Sequence, residues 1–298
     1  MRLIRTKAAF AAAALAFSLA ACGEAGNDDE GKDLEGKEDA AASFEDGTRM
    51  KELAEAGSVT IGHKTDQPGV GFLAAGDDAP TGFDIEIAKI LAAELGIDSA
   101  DIKWVETISD NREPFLKEGE NGKVDLVLAS YSITDERRAE VGQAGPYMET
   151  GQQLLVKSDS DIDDVADVKG KEVCSVTGST SLEQIEAQGA KPVGFEAYSD
   201  CVEKVLDGTV EAMTTDGTIL MGYAAQNEGE LKVVGEEFSE ERIGVGYSLN
   251  NPEMCQFIND TLEKAFEDGS WEEAFTSTLG KSGVETPEPP AVDECPAA

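Results

Sequence analysis

Residues 59–96 read VTIGHKTDQPGVGFLAAGDDAPTGFDIEIAKILAAELG, and they contain the unit that recurs along the chain. VTIGH at 59–63 is a short β-rich run that predicts a strand, and a loop rich in Pro and Gly follows it. FDIEIAKILAAEL at 83–95 predicts a helix that ends at Gly96. Its large apolar side chains fall near one helical face: Phe83, Ile87, Ile90, Leu91 and Leu95. A strand, a loop and an amphipathic helix in this order indicate an α/β protein with parallel sheets.

The same alternation continues along the rest of the chain. Further strands are predicted at IKWV, VDLVLA, GQQLLV, KEVCSV, KPVGF, VEAMTT, LKVV and RIGVGYSL. Further helices are predicted at NREPFLKEG, DERRAEV, SLEQIEAQ, SDCVEKVLDG, GTILMGYAAQ, PEMCQFINDTLEKAFEDG and SWEEAFTSTLG, and one more through 49–56. A chain of 298 residues exceeds what one hydrophobic core usually organises. We therefore expect two similar α/β lobes.

Composition excludes several classes of function. The chain has 24 Lys and Arg against 61 Asp and Glu, a formal net charge of −37. Because such a surface repels phosphate, we expect no nucleic-acid partner. His63 is the single histidine, and neither an H-x-x-x-H nor a C-x-x-C spacing occurs. We therefore expect no metal site and no cofactor.

The N-terminus has the pattern of an export signal. Three basic residues within the first seven precede an uncharged run at 8–21, which is too short for a transmembrane helix. The run ends in LAAC, and this ending resembles the lipobox of bacterial lipoproteins. In that class the signal peptide is cut before the cysteine, and the thiol carries a diacylglycerol. We expect residues 1–21 to be a lipoprotein signal peptide and Cys22 to be the lipidation site. An ordinary secretory signal with a chance cysteine is the alternative.

Residues 22–48 are expected to form an acidic, disordered tether. The stretch GEAGNDDEGKDLEGKEDAAASFEDG at 23–47 contains ten acids, two lysines and hardly any large apolar side chains. Such a segment cannot bury enough area to offset the entropy of ordering it. It should be self-repelling and extended.

Four cysteines remain after Cys22: Cys174, Cys201, Cys255 and Cys295. An even number in an exported protein indicates two disulfides, with three possible connectivities. Cys174 lies in a predicted strand and Cys201 at the start of the following helix but one, whereas Cys255 begins a late helix and Cys295 lies in the tail. We favour the pairs 174–201 and 255–295, with four buried free thiols as the alternative.

The order of the predicted elements resembles the family 3 extracellular solute-binding proteins of amino-acid ABC importers. Four segments carry the resemblance: TGFDIEIAKILAAELG, GKVDLVLASYSITDERRAEVGQAGPYMETGQQLLV, KGKEVCSVTGSTSLEQIE and LDGTVEAMTTDGTIL. The resemblance implies a two-lobed, periplasmic-binding-protein-like α/β fold of type II, with a ligand cleft between lobes joined by two hinge strands. The expected boundaries are lobe 1 at 49–150 with 244–283, lobe 2 at 151–243, and an irregular tail at 284–298. The crossovers are expected near Gln152–Val156 and Ile243–Ser248.

The resemblance also implies which residues hold an amino-acid head group. Arg137, in the segment TDER, matches an arginine that binds the ligand's α-carboxylate, a contact that suits the two parallel donors of guanidinium. Ser130 and Ser132 match positions that contact the amino and carboxylate groups. Thr180, in GSTS before a predicted helix, matches a carboxylate contact from lobe 2. Asp216 matches the acid that pairs with the α-ammonium.

Each of these positions also has a plainer interpretation. Arg138 is a neighbouring alternative to Arg137. The two serines can be polar strand-end residues, and GSTS can be a turn with a helix cap. Asp216 can also be a cap, since Asp is common at helix starts.

Selectivity is expected to come from the side-chain pocket. Lys64, directly after the first strand and beside His63, matches the point where glutamate and aspartate binders place a basic residue. Arg112, in SDNREPFL, matches a second basic position of acidic-amino-acid binders. The loop TDQPGVG resembles that of glutamate-importing members, and Tyr198 is expected to line the cleft from lobe 2. A lysine at a strand end can also be merely solvated.

These matches imply a monomeric binding lipoprotein on the extracytoplasmic face of a bacterial cell membrane. It would capture glutamate, or aspartate or a related acidic amino acid, deliver it to an ABC permease, and catalyse nothing. A dehydratase-type enzyme on the same fold is one alternative, for which His63 or cleft carboxylates would supply the general acid or base. A ligand-sensing module is the other, although such modules continue into transmembrane and signalling segments and this sequence ends at Ala298.

Overall fold

The computed structural model describes residues 33–118 and 122–296. Its α-helices are α1 (Ala40–Ser43), α2 (Arg49–Ala56), α3 (Phe83–Glu94), α4 (Arg112–Lys117), α5 (Asp135–Arg138), α6 (Thr180–Ala187), α7 (Tyr198–Leu206), α8 (Gly217–Gln226), α9 (Met254–Asp268) and α10 (Ser270–Ser277). Its strands are β1 (Val59–His63), β2 (Asp66–Gln67), β3 (Gly71–Phe72), β4 (Ile102–Glu106), β5 (Leu126–Val127), β6 (Gly142–Thr150), β7 (Gln152–Lys157), β8 (Glu172–Val176), β9 (Lys191–Phe195), β10 (Ala212–Asp216), β11 (Leu231–Val234) and β12 (Glu241–Tyr247). The predicted signal peptide and Cys22 lie outside the described residues.

Two five-stranded sheets organise the fold. The first has the order β4-β1-β5-β12-β6, in which β1 runs parallel to β4 and β5 while β12 is antiparallel to β5 and β6. The second has the order β11-β7-β10-β8-β9, with β8 parallel to β9 and β10 and with β7 antiparallel to β10 and β11. We call the parts of the chain built on them the first and the second lobe. The expected two-lobed α/β fold is confirmed.

The chain crosses between the sheets twice. It leaves the first sheet at the end of β6 (Thr150) and enters the second at Gln152, and it returns between Val234 and Glu241. The segments expected to be crossovers, 152–156 and 243–248, are instead mostly ladder residues of β7 and β12. Strand β12 begins three residues before the expected boundary at 244, because Glu241 already pairs with Thr150 of β6.

Helix α3 shows why the opening stretch predicts its structure well. It begins at Phe83, and its predicted apolar positions are buried except for the half-buried Ile90. Phe83 packs edge-on against Trp271 and Phe275 of α10, with ring centroids 5.8 and 5.3 Å apart. This aromatic cluster joins the early helix to α10 and forms part of the hydrophobic core.

Strand β6 was not predicted from the sequence. It contains Pro146, which has no N–H for a ladder and normally argues against a strand interior. The structure accommodates the proline with an irregularity: the pairing with β12 passes from Met148 opposite Ile243 to Ala144 opposite Val245. The hairpin β2–β3 was also missed, and it lies inside the Pro/Gly-rich loop after β1.

The structure corrects the expected tether over residues 33–48. This segment packs on the first lobe: the Lys37 N–H donates to Ala93 O at 2.8 Å, and Ala40 is buried against Gly96. Phe44 meets Phe257 of α9 edge-on, with centroids 5.8 Å apart. Composition alone underestimated these contacts, since a few apolar side chains suffice where a preformed surface receives them.

Both favoured disulfide pairs are present. Cys174–Cys201 joins β8 to α7, and Cys255–Cys295 joins α9 to the tail. The tail has no regular secondary structure up to residue 296, as expected, yet it is well anchored. Asp293 accepts hydrogen bonds from both Arg138 and Arg242 at 2.5 Å.

In residues 33–118 and 122–296, no helix has both the length and the apolar character that crossing a bilayer requires.

Replacing Cys255 and Cys295 with serine should lower the free energy of unfolding by about 3–4 kcal/mol, because the bond closes a loop with a sequence separation of 40 residues. Urea unfolding followed by circular dichroism measures the change. The Cys174→Ser/Cys201→Ser variant, with a separation of 27, should lose slightly less. An unchanged unfolding midpoint in the 255/295 variant would show that this disulfide adds nothing to stability.

Candidate functional site

A narrow cleft lies between the two lobes. The first lobe lines it with Ser109, Arg112, Ser130, Ser132 and Arg137, and the second with Ser179, Thr180, Ser181, Tyr198 and Asp216. Seven of the eight residues expected from the sequence are among these side chains, and Lys64 is not. The free volume between them is about 10 Å³, well below the roughly 300–1,000 Å³ of small-molecule sites. The lobes are therefore closed on each other.

Strand ends and helix starts bring these residues together. Ser130 and Ser132 follow β5, and Asp216 ends β10. Thr180 is the first residue of α6, whose start is capped by Ser179 Oγ accepting from Leu182 N–H. Arg137 lies in α5, a single turn that is capped by the Thr134 side chain accepting from the Arg137 N–H. The carboxyl ends of strands and the amino ends of helices meet at one edge, where polar groups remain free to contact a ligand.

Arg137 spans the cleft. Its Nη1 donates to Ser132 O at 2.7 Å in its own lobe, and its Nη2 donates to Gly178 O of the second lobe at 3.1 Å. Its Nε lies 3.4 Å from Glu113 Oε1. The guanidinium is thus positioned by one carboxylate and two carbonyls at the lobe interface.

Arg112 is a buried cation whose hydrogen bonds go to carbonyl oxygens. It donates to Ser109 O, Ala129 O and Ser130 O at 3.1–3.3 Å and, across the cleft, to Gly178 O at 3.0 Å. Burial and the neighbouring Arg137 lower the pKa of Arg112 to about 10. Carbonyl dipoles orient the guanidinium without neutralising it, so Arg112 adds net positive charge to this wall.

Gly178 is the point of the second lobe that both arginines reach. Its φ of 78° lies in the left-handed region, and a Cβ there would lie 2.1 Å from Asp110 Oδ1. The close approach of the two lobes at this position therefore requires glycine.

Lys64 lies just behind the cleft wall. It is 4 % exposed, and its Nζ donates to Ser109 Oγ at 2.9 Å. Ser109 in turn lines the cleft. None of the ion pairs formed within residues 33–118 and 122–296 involves Lys64. Burial, and next to it the charge of Arg112, lowers the pKa of Lys64 to about 7. A solvated strand-end lysine, the plainer interpretation of this residue, does not fit this burial.

Two buried carboxyl groups, those of Asp216 and Asp84, lie near these cations. Asp216 is 4 % exposed and stands at the start of α8 without making a capping bond, so the cap interpretation does not hold. Burial, followed by the charge of Glu241, raises the pKa of Asp216 well above its ordinary value. Burial likewise raises the pKa of Asp84 to about 6, against hydrogen bonds from Tyr147 and Ser130. A cation placed beside Asp216 would relieve this cost.

Ser130 has a strained backbone. Its φ of 43° is left-handed, which is uncommon for a residue with a side chain. Its N–H donates to Asp84 Oδ2 at 2.7 Å, and its Oγ donates to Gln67 Oε1 at 2.9 Å. These buried partners hold Ser130 in a conformation that presents it to the cleft.

His63 takes a structural position. It is 2 % exposed, its Nδ1 donates to Lys64 O at 2.7 Å, and its ring packs edge-on against Trp104 at 5.3 Å. Burial lowers its pKa. His63 thus lies outside the lining of the cleft, which does not favour a role as general acid or base.

Several site residues escaped the sequence reasoning: Ser109, Ser179, Ser181, Asp84, Glu113 and Glu241. Ser109 and Ser179 lie within quoted motifs, so proximity to Arg112 and Thr180 was the available signal. Glu241 had no local signal. It starts β12 in the first sheet, yet its Oε2 accepts from Thr180 Oγ1 at 3.1 Å and its Oε1 from Gln184 Nε2 at 2.7 Å, both on α6 of the second lobe.

The chain is similar to known proteins along most of its length. Residues 59–281 match the bacterial extracellular solute-binding proteins, family 3. The chain is 39 % identical over 293 residues to the glutamate-binding protein GluB of Corynebacterium efficiens, covering 93 % of this chain and 91 % of that one. It is 33 % identical to the ABC transporter glutamine-binding protein GlnH of Bacillus subtilis, covering 90 % and 94 %.

A solved structure is similar at the level of the fold and of the sequence. It is an ancestral amino acid-binding protein described as a precursor of cyclohexadienyl dehydratase, with a TM-score of 0.69 and 30 % identity. The match covers 77 % of this chain and 99 % of that one.

The Lys64→Met variant should be more stable than the wild type by about 2–4 kcal/mol at pH 7, because a buried ammonium is replaced by an apolar side chain. Since the folded pKa of Lys64 is about 7 and the unfolded value is roughly 10.4, the unfolded chain binds more protons between these values. The free energy of unfolding of the wild type should therefore approach that of the variant as the pH rises from 7 to 10. Urea unfolding at pH 6, 7, 8 and 9 measures the gap.

The matched control is Lys103→Met, on the exposed side of β4. Its stability difference from the wild type should not depend on pH over this range. If the difference in free energy of unfolding between Lys64→Met and the wild type does not change with pH, the Lys64 ammonium is not destabilised by burial.

Proposed function

The chain belongs to the bacterial extracellular solute-binding proteins of family 3, and on that premise we propose that it captures glutamate, with aspartate as a second ligand, and delivers it to an ABC permease. The observation that supports glutamate most is the buried Lys64, which touches the cleft through Ser109 and has no ion-pair partner in the described ranges. The similarity to a glutamate-binding protein agrees with this proposal.

Charge balance explains why a third cation matters. Glutamate carries two carboxylates and one ammonium, and Arg137 with Asp216 would neutralise only the amino-acid head. A desolvated side-chain carboxylate without a partner would cost several kcal/mol, so a glutamate site must offer another cation or several aligned N–H donors. Arg112 lines the first-lobe wall of the cleft, and the buried Lys64 lies directly behind it.

The head group would be held from both lobes. We assign Arg137 to the α-carboxylate, where its two parallel donors would exchange the carbonyls of Ser132 and Gly178 for ligand oxygens. Ser132 Oγ and Thr180 Oγ1, 3.4 Å apart across the cleft, would add hydroxyl contacts, with Ser130 beside them. Asp216 would accept the α-ammonium, and Tyr198 would border the side chain.

Ligand entry would require the lobes to separate. The free volume of about 10 Å³ holds no amino acid, so the cross-lobe bonds from Arg112 and Arg137 to Gly178 would break first. The two crossovers, 151 and 235–240, are the segments where the chain can bend. A ligand that binds residues of both lobes would then favour the closed state by its differential affinity.

We assign no catalysis to this cleft. A dehydratase-type reaction needs a general acid or base at the ligand, and the buried, backbone-bonded His63 stands outside the lining. Mass analysis of glutamate recovered after incubation with the protein would test this assignment, and a converted product would overturn it.

We also propose that the protein acts as a monomer attached by a lipid at Cys22 to the extracytoplasmic face of the cell membrane. Small residues before the cysteine, upstream basic residues and the short apolar run all agree with a lipoprotein signal. A diacyl anchor supplies two chains, which is enough for stable attachment.

Cys22→Ala should abolish incorporation of labelled palmitate and remove the protein from the membrane fraction of the expressing bacterium. The Cys255→Ser/Cys295→Ser variant leaves the LAAC segment intact and serves as the control for loss of cysteine elsewhere. Palmitate incorporation that persists in Cys22→Ala would refute the anchor.

Calorimetric titration with the twenty amino acids tests the ligand itself. Lys64→Met should weaken glutamate by about 2–5 kcal/mol, as expected for truncating one member of a buried charge pair, and should barely change any binding of glutamine. Lys103→Met is the control, since it removes a lysine from the neighbouring strand at an exposed position.

An equal loss for glutamate and glutamine would assign Lys64 to the scaffold. No loss of affinity for either ligand would indicate that Arg112, and not Lys64, determines the selectivity. Absence of glutamate binding by the wild type would refute the proposed ligand.

A further inference from the structure

Asp66 belongs to the chain segment of the first lobe, yet its side chain binds a helix of the second. It lies in the short strand β2, three residues after β1. Its Oδ2 accepts from the N–H groups of Tyr198 and Ser199, at 2.7 and 3.3 Å. These are the first two residues of α7. The contact exists only when the two lobes are together.

Helix α7 lacks a cap of its own. Its N-cap residue is Ala197, which offers no side-chain hydrogen bond to the first turn. Unpaired N–H groups at a helix start carry partial positive charge and bind carboxylates well. Asp66 therefore supplies from the opposite lobe the cap that the local sequence does not provide.

The residues next to Asp66 fit the second lobe as well. Tyr223 of α8 donates its hydroxyl to Asp66 O. A Cβ at Gly222, also on α8, would lie 2.1 Å from Pro68 O. Strand β2 and Pro68 thus pack against α7 and α8 of the second lobe. The lack of a side chain at Gly222 allows Pro68 to approach α8 this closely.

The capped helix is part of the cleft. Tyr198 lines the cleft, and its hydroxyl accepts from Thr215 Oγ1, next to Asp216, at 2.7 Å. Cys201, on the same helix, is bonded to Cys174 of β8. Contacts made by the first turn of α7 therefore affect the position of Tyr198 and, through the disulfide, the position of α7 on the second lobe.

From these contacts we propose that Asp66 is a latch: it stabilises the closed arrangement of the lobes and positions Tyr198 without touching the ligand. The inference rests on the proposed binding function for its affinity readout. The apparent affinity for a ligand that binds the closed arrangement rises with the fraction of protein that is closed. Loss of the latch lowers that fraction and so weakens binding. The effect falls mainly on the dissociation rate.

The test combines an affinity with a direct measure of closure. Asp66→Ala should bind glutamate about 5- to 30-fold more weakly, the upper part of the range expected for losing a helix cap. Asp66→Asn should retain affinity within about 3-fold, since Asn caps helices nearly as well as Asp. Asp78→Asn, on an exposed loop of the same lobe, is the charge-matched control and should stay within about 2-fold. Closure is followed by the energy transfer between dyes at Lys103→Cys and Lys191→Cys, one exposed site in each lobe.

Asp66→Ala should populate the separated lobes more than the wild type, both alone and at half-saturating ligand. If the wild type does not bind glutamate, the proposed ligand fails, and glutamine becomes the probe for the same variants. Unchanged affinity and unchanged energy transfer in Asp66→Ala would overturn the latch. An equal loss in Asp66→Asn and Asp66→Ala would overturn the capping contact as its cause.

Discussion

Positive charge buried between two sheets is the constraint on which the cleft depends. Arg112 and Lys64 are each less than 5 % exposed, and Arg137 spans the gap beside them, in a chain whose formal net charge is −37. Bringing like charges together away from water is unfavourable, and the low pKa of Lys64 reflects that cost. The protein offsets part of it with carbonyl dipoles, and an anionic ligand would offset more.

The topology makes that concentration of charge possible. Residues that follow β5 and the last residue of β10 face each other across the cleft. Two buried carboxyls, Asp84 and Asp216, complete the polar centre. In the proposed binding mode the groups that hold the amino acid come from both lobes, since Arg137 belongs to one and Asp216 to the other. In this proposal, ligand binding and lobe closure are coupled equilibria, because the ligand contacts groups of both lobes.

Polar contacts across the lobes are of two kinds. Arg137, Arg112 and Ser132 meet the second lobe inside the cleft, where a ligand would compete with them. Asp66 meets the start of α7 through backbone N–H groups that the proposed ligand would leave intact. Glu241 meets α6 through Gln184 and also through the cleft residue Thr180. In the proposed function, the first kind would give way to contacts with the ligand, and the second kind would stabilise the closed lobes.

The sequence by itself determined the order and the type of most elements, the two-lobed class and the family, because helical and strand periodicities are local and the motifs lie within single segments. It also indicated both disulfide pairs and seven of the residues that line the cleft. The tertiary structure alone decided the rest. Pro146 sits in a strand because β12 adjusts its register, residues 33–48 are ordered because α3 and α9 provide a surface, and Lys64 meets the cleft through Ser109. Asp66 and Glu241 reach helices that lie more than fifty residues away in sequence. No local pattern encodes such contacts, since they depend on which surfaces the packed lobes bring within hydrogen-bond distance.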